Sequence, residues 1–549
     1  MFRRYALCAM LASATPTSAQ CFDGFPAGYF WEIECPVYEF RGSPLDRGFG
    51  SLVENVGDIN QDGIDDILVS IRESTGGGHR RSGAVRAYSL GTGAELYTVR
   101  GQSLRAFLGA TLGSGGDTDG DGVPDWVVGN FNGDVFLHSG ANGQRLLSWS
   151  FSTRATSITI VGDVNADGHA DVLIGTGDEG AISEGAAHLF SGSDGTLIRV
   201  HIGGFAEAGL GDRVLALGDR DGDGQADYAI RTREGGSLGT GSVTVYSGGS
   251  GQPVYTIEPT AVSNDFGREL ERTGDLDRDG VGDFAVLDGL FSASILTTYS
   301  GATGASLYAI DTSMANVRHS DLRPVLRFDG DIGDVDGDGI PEIACFLRGE
   351  DITVRTSIEI RSGADGSLLR RYHEAISNFQ GFGDLAGVGD IDADGTPDFA
   401  FGSTHLRRAF VLSPVTRTSL ELCAGDVNSR GQRATLQLTR STSVSENRLR
   451  ALISDGSSNE LAFLFYGDRR ADRPFGQGRL CVGGPLHRVG AGTLLNSSGN
   501  ATGFIDLTTP ALASGPAALS PGSNWAFQVL YRDGQSFNLT SAVSMVFRP

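Results

Sequence analysis

The 549-residue chain contains no lysine: all 43 of its basic residues are arginine. That absence excludes Schiff-base chemistry and P-loop phosphate binding, both of which need an ammonium group. No run after the N-terminus approaches the roughly 18 consecutive apolar residues a membrane-spanning helix needs. The nine histidines are scattered, none in the His-x-x-x-His spacing of a metal site, so zinc or serine–histidine chemistry has no support. Cationic charge is also in deficit: the formal charge is −24, which repels nucleic acid and anionic membranes.

What the chain has in abundance is glycine, 81 residues, and aspartate in a fixed pattern. The clearest copy is Asp334-Val335-Asp336-Gly337-Asp338-Gly339-Ile340-Pro341-Glu342. Oxygen-bearing side chains stand at its first, third, fifth and ninth positions, a glycine at the sixth gives the sharp turn, and the carbonyl of the seventh can face inward. Such an oxygen cage suits a hard cation, calcium better than magnesium. Six further copies present Asp58, Asn60, Asp62 and Asp66; Asp117, Asp119, Asp121 and Asp125; Asp163, Asn165, Asp167 and Asp171; Asp219, Asp221, Asp223 and Asp227; Asp275, Asp277, Asp279 and Asp283; and Asp390, Asp392, Asp394 and Asp398. The expected ligand set is these side chains together with Asp334, Asp336, Asp338 and Glu342. An EF-hand is excluded, because that loop needs a glutamate at its twelfth position and flanking helices, whereas strand-like runs such as Ile67-Leu68-Val69 flank these turns. The set holds 26 carboxylates, and up to seven structural calcium ions would bring −24 to about −10.

The first ligands of successive turns are 46 to 59 residues apart, a period that signals one supersecondary unit per repeat. Each unit holds the acidic turn, an apolar run, a glycine-rich connection, another strand and a Ser-Gly turn such as Phe190-Ser191-Gly192 or Tyr299-Ser300-Gly301. Four strands per unit and seven units predict an all-β fold, a seven-bladed β-propeller spanning residues 37–415. The last unit lacks an outer strand after Phe410-Val411-Leu412. Val37-Tyr38-Glu39-Phe40-Arg41-Gly42 echoes the outer strand Leu96-Tyr97-Thr98-Val99-Arg100-Gly101 and is expected to complete that blade.

Phe-Gly pairs (Phe49-Gly50, Phe266-Gly267, Phe382-Gly383) followed by aspartate-rich turns make this region resemble the FG-GAP repeats of the integrin α-chain propeller and its bacterial secreted relatives. The pair is altered to Leu210-Gly211 in the fourth unit and lost in the third and sixth. The resemblance implies a calcium-loaded propeller whose business is adhesion or ligand recognition, with an unknown extracellular protein or glycan as partner.

Residues 1–19 carry the charged, apolar and small-residue parts of a secretory signal with cleavage expected after Ala19, and a short segment, 20–36, follows. A lipid anchor on Cys21 is disfavoured because Gln20 stands where a small residue is required. The expectation is an exported protein, secreted or at the cell surface, without a transmembrane segment. Cys21 and Cys35 are close in sequence and Cys423 and Cys481 share the tail, so two disulfides are open, with Cys345 left as a buried apolar side chain. From 416 to 549 the period vanishes, and short alternating runs such as Leu461-Ala462-Phe463-Leu464-Phe465-Tyr466 predict a β-sandwich. This tail resembles one found in secreted bacterial repeat proteins.

Three functions stay open at this level: a recognition protein that is not an enzyme, a carbohydrate-active enzyme of the polysaccharide lyase type, and a purely structural surface protein. A Gly-x-Ser-x-Gly at Gly235-Gly236-Ser237-Leu238-Gly239 falls between two strands rather than between a strand and a helix, which argues against a nucleophile. The ring face opposite the acidic turns is the expected ligand surface, with Arg80 and Arg81 able to meet a carboxylate.

Overall fold

In a computed structural model the described residues are 37–75, 79–259, 265–289, 295–311, 328–329, 331–347, 357–373, 382–391, 396–414, 420–423, 426–439, 449–497, 499–505, 507, 512, 518–519, 524–534 and 536–546. The chain divides into two compact units, one of Met1–Ile332, Ile340–Val388 and Phe399–Leu412, the other of Gly333–Gly339, Gly389–Asp398 and Ser413–Pro549. The architecture is all-β, built of many small antiparallel sheets, and among the described residues no helix is long and apolar enough to cross a membrane.

Seven of the sheets have four strands each. The first is Asp46–Gly57, Asp66–Ser74, Ala84–Ser89 and Glu95–Arg100, and the second Thr111–Ser114, Trp126–Gly129, Asp134–His138 and Arg145–Ser150. The third runs from Ser157–Val161 to Leu197–Ile202, the fourth from Leu210–Gly218 to Pro253–Ile257, the fifth from Leu270–Gly274 to Ser306–Asp311 and the sixth from Phe328–Asp329 to Leu368–His373. The seventh breaks chain order: Phe382–Gly389, Asp398–Ser403 and Arg408–Leu412 are joined by Tyr38–Arg41, which pairs antiparallel with the last of them, Phe40 opposite Ala409.

The second strand of each sheet explains how the sheets associate. Trp126, Val127 and Val128 are fully buried, yet they face two ways, as successive strand residues must. Trp126 and Val128 pack with Leu68 and Val85 of the first sheet, while Val127 packs with Val172 and Ile174 of the third. The alternation continues along the chain. Leu173 meets Tyr228 and Ile230, Ala229 meets Phe284 and Val286, and Ala285 and Leu287 meet Ile343 and Cys345. A strand covered on both faces must be apolar throughout, which is why these runs show no polar alternation. Each such Leu, Ile, Val or Phe contributes about 1.5–3 kcal/mol by burial.

The seventh sheet has neighbours on both sides. Phe346 of the sixth sheet meets Phe401 edge-on at 6.0 Å between ring centroids. On the other side the Phe40 ring lies 4.3 Å from that of Tyr88 in the first sheet, and Asn55 Nδ2 donates to the Gly387 carbonyl at 2.9 Å. Among the described residues no single sheet closes on itself.

In the second unit Leu420–Cys423, Ala542–Val546, Asn524–Asp533, Leu461–Gly467 and His487–Arg488 form one sheet, extended by Thr493–Leu494 and Ser536–Leu539. A three-stranded sheet of Thr435–Thr439, Arg450–Ser454 and Ala501–Phe504 shares its core: Leu436, Leu438 and Ala451 lie in one apolar cluster with Tyr466, Phe527 and Tyr531. Cys481 is disulfide-bonded, and Cys345 is buried and free. The side chains of Cys21, Cys35 and Cys423, and the segments 1–19 and 20–36, lie outside the described residues.

Candidate metal centres

Each acidic turn joins the first strand of its sheet to the second. In the first turn Asp58 accepts the amides of Asp62 at 3.0 Å and Gly63 at 2.7 Å, so its carboxylate closes the loop around its own interior. The same bond to the sixth-position glycine recurs from Gly122 to Asp117 (2.7 Å), Gly168 to Asp163 (2.8 Å), Gly224 to Asp219 (2.9 Å), Gly280 to Asp275 (2.9 Å) and Gly339 to Asp334 (2.9 Å). Those glycines have φ between 82° and 89°, and a Cβ on Gly63, Gly122, Gly168, Gly224 or Gly280 would meet nothing within 4 Å. Glycine is therefore required by backbone conformation and not by space.

The ninth-position acid does something the spacing did not reveal. Asp66, Asp125, Asp171, Asp227, Asp283, Glu342 and Asp398 are all fully buried. One oxygen of each of the following accepts the amide at the second position of its own turn: Asp66 from Ile59 (3.1 Å), Asp125 from Thr118 (2.8 Å), Asp171 from Val164 (2.9 Å), Asp227 from Arg220 (2.7 Å), Asp283 from Leu276 (2.7 Å) and Asp398 from Ile391 (3.0 Å). The other oxygen reaches the hairpin between the third and fourth strands, accepting from Leu90, Gly140, Gly192, Gly248 and Gly301 at 2.7–3.2 Å. The acid thus clasps the turn to the hairpin. Hairpin hydroxyls reach back to the fifth-position acid, Ser89 to Asp62 at 3.2 Å and Ser193 to Asp167 at 3.1 Å. The recurrence of a serine hairpin 15 to 24 residues after each of these acids was the available signal.

Four turns gather carboxylate oxygens within 4.8 Å of one another: Asp334, Asp336, Asp338 and Glu342; Asp117, Asp119 and Asp125; Asp219, Asp221 and Asp227; and Asp275, Asp277 and Asp279. These groups can hold a metal ion, and their all-oxygen donor set fits a hard one. Asp121, Asp223 and Asp283 stand outside those groups; Asp121 and Asp223 accept instead from the seventh-position amides of Val123 (2.9 Å) and Gln225 (2.8 Å). The first and third turns have an amide at the third position, where Asn60 Nδ2 donates to Asp66 at 3.4 Å and Asn165 Nδ2 to Asp167 at 3.1 Å. In the seventh turn Asp392 and Asp394 lie outside the described residues.

Electrostatics favour a cation. Burial, with Asp62 nearby, pushes the Asp66 carboxyl up to about 7, and burial pushes Asp171 up to about 6. Burial also raises Asp125, Asp227 and Asp283. Carboxylates held this close resist ionisation unless a positive charge joins them.

Successive turns are stitched together: Ala170 N donates to Asp117 O and Ala226 N to Asp163 O, each at 3.0 Å. His169 lies against the preceding turn, its Cε1 3.0 Å from where a Cβ on Gly120 would stand. Ser237, of the Gly-x-Ser-x-Gly sequence, lies between strands Asp227–Thr232 and Ser242–Tyr246, and its hydroxyl donates to Glu258 at 2.6 Å rather than to a histidine. No model of a known protein family matches the chain.

Proposed function

We propose that residues 37–415 form a seven-bladed β-propeller of the FG-GAP kind, its acidic turns loaded with up to seven structural calcium ions, followed by a C-terminal β-sandwich over 416–549. The observation that carries this reading is the cycle of neighbours: each four-stranded sheet packs on the next, and the seventh, completed by Tyr38–Arg41, packs on the first. Calcium is preferred because the donors are carboxylates, amides and carbonyls from one flexible turn, which suits 6–8 ligands at about 2.3–2.6 Å better than a strict octahedron. The ions are structural in this reading, since each turn surrounds its own cation and joins two strands of a buried sheet.

The protein then acts outside the cell as a recognition protein. The disulfide at Cys481 supports an oxidising compartment, where calcium is also plentiful. The test is metal analysis after dialysis against millimolar calcium, paired with thermal melting with and without chelator. Several bound calcium ions per chain and a large loss of melting temperature on chelation are expected. A metal-free protein with unchanged melting would overturn the reading.

A further inference from the structure

The far ends of the second strands, about 20 Å from the acidic turns by strand rise, carry a patch of opposite character. Phe131 is 37% exposed, and two guanidinium groups stand over its ring, Arg72 and Arg154, each 5.5 Å from the centroid. Phe107 packs beside it at 5.0 Å. Arg80, Arg81 and Arg105 are exposed on the adjoining segments, which run side by side through hydrogen bonds from Arg105 N to Arg80 O (3.0 Å) and from Phe107 N to Arg81 O (3.1 Å). Arg80, Arg105 and Arg154 form no ion pair among the described residues, while Arg81 reaches Glu73 at 3.6 Å. In a chain of charge −24, exposed arginines without a carboxylate are a local reversal of sign.

The backbone here is also unusual. Arg81, Arg105 and Phe107 have φ of 55°, 56° and 53°, a left-handed conformation that side chains rarely adopt; the first two recur at the equivalent Ser183 and Glu207, φ 55° and 63°, which leaves Phe107 as the distinctive position. The segment 182–184 pairs with 207–210 as 80–82 pairs with 105–108, and there the position of Phe107 is held by Gly209, φ 61°. A phenylalanine where glycine is the relaxed choice is strained, and such strain clusters at functional sites.

We propose that this patch binds a carboxylate-bearing glycan, the arginines taking the carboxylates and the Phe131–Phe107 pair meeting the C–H face of a sugar ring. Arginine forks match carboxylates in paired hydrogen bonds, and the ring beneath Arg154 restrains it before the ligand arrives. A peptide is disfavoured because the amides that would grip its backbone are already used: Phe107 and Leu108 donate to Arg81 and Ser82, and Phe131 to Ala106 at 2.8 Å. The proposal deepens the recognition function above and rests on it.

The test is calorimetric titration of short oligogalacturonate into the calcium-loaded full chain, with neutral oligoglucoside and oligoglutamate as controls, and with the triple variant R80A/R105A/R154A alongside. Binding of the uronate alone, weakened by salt and lost at least about tenfold in the variant, is expected. Equal binding by the variant, equal binding of oligoglutamate, or no uronate binding by the wild type would overturn the proposal. A second variant, F131A, separates stacking from charge: it weakens the uronate while an unchanged affinity would refute the aromatic part. Melting with and without chelator in the same samples reports the propeller reading separately, so failure of one is not mistaken for failure of the other.

Discussion

Tyr38 lies against Gly93: a Cβ on that glycine would sit 2.6 Å from the tyrosine Cε1. The contact repeats between successive sheets, Tyr97 on Gly143, Leu147 on Gly195, Arg199 on Gly251, Tyr255 on Gly304 and Tyr308 on Gly366. In each case a side chain of an outermost strand covers the hairpin glycine of the following sheet, and polar tips reach the same hairpins: Tyr97 Oη donates to Gly140 O at 2.8 Å and Tyr255 Oη to Gly301 O at 2.6 Å. Tyr38 makes this contact from the seventh sheet to the first.

Gly143→Ala is expected to lower stability by about 2 kcal/mol or more, because the new methyl must displace a ring and accept a left-handed backbone at φ 70°. Tyr38→Ala removes a half-buried ring at a single junction and is expected to cost about 1–2 kcal/mol. Denaturant melts of both variants check the pair. If Tyr38→Ala were silent, the first and seventh sheets would not depend on this contact.

Removing residues 37–42 exposes the edge of Arg408–Leu412, whose backbone partners are then absent. Self-association through that edge is expected, seen as a concentration-dependent larger species in size-exclusion chromatography. A monomeric, fully stable truncation would show that the seventh sheet stands without its fourth strand.

Asp275→Asn is expected to lower the calcium content by about one ion per chain and the melting temperature by several degrees, since it replaces one of the three carboxylates gathered in the fifth turn with a neutral amide whose nitrogen cannot ligate. Metal analysis by plasma emission reads the count directly. Unchanged stoichiometry would exclude that turn as a site.

Without metal, the protein is expected to gain stability as pH falls from 8 towards 5. Asp66, pushed up to about 7, and Asp171, up to about 6, hold protons more tightly folded than unfolded, where an aspartate's ordinary value is 3.8. Their contribution is complete below the unfolded value and is lost as pH rises through the folded values. With calcium bound the trend reverses, because protons and cation compete for the same oxygens. Melting curves across that range, with and without chelator, check both signs.

Arg231→Met is expected to destabilise the first unit by about 3 kcal/mol. The arginine is 1% exposed and pairs with Asp212 and Asp265 while its Nε donates to Phe266 O at 2.8 Å. Chemical denaturation measures the loss; a neutral result would mean that water serves those carboxylates equally well.

The sequence made the sheet count and the acidic turns readable because both repeat at fixed spacing, and a residue such as Gly122 announces a turn by itself. The pairing of Tyr38–Arg41 with Arg408–Leu412 was foreshadowed by the echo of Leu96–Gly101. The clasp by Asp125 and its kin was not, since a ninth-position carboxylate reads the same whether it faces a cation or an amide. Arg80 and Arg81 were legible as a carboxylate-binding pair, but the ion pairs of Arg231 and the place of Phe131 beneath two arginines stayed hidden, because Asp212 and Asp265, like Arg72 and Arg154, are far apart in sequence and no local period links them.

The strand order of the seventh sheet also sets a timetable. Tyr38–Arg41 is made before any other strand described, yet its partner is the last to be made in that unit. Until synthesis reaches Leu412, the earliest strand must wait with its amides open, so completion of the unit comes late and all at once. A holdase or a rapid passage through an export channel would protect that interval better than any substitution in the finished molecule.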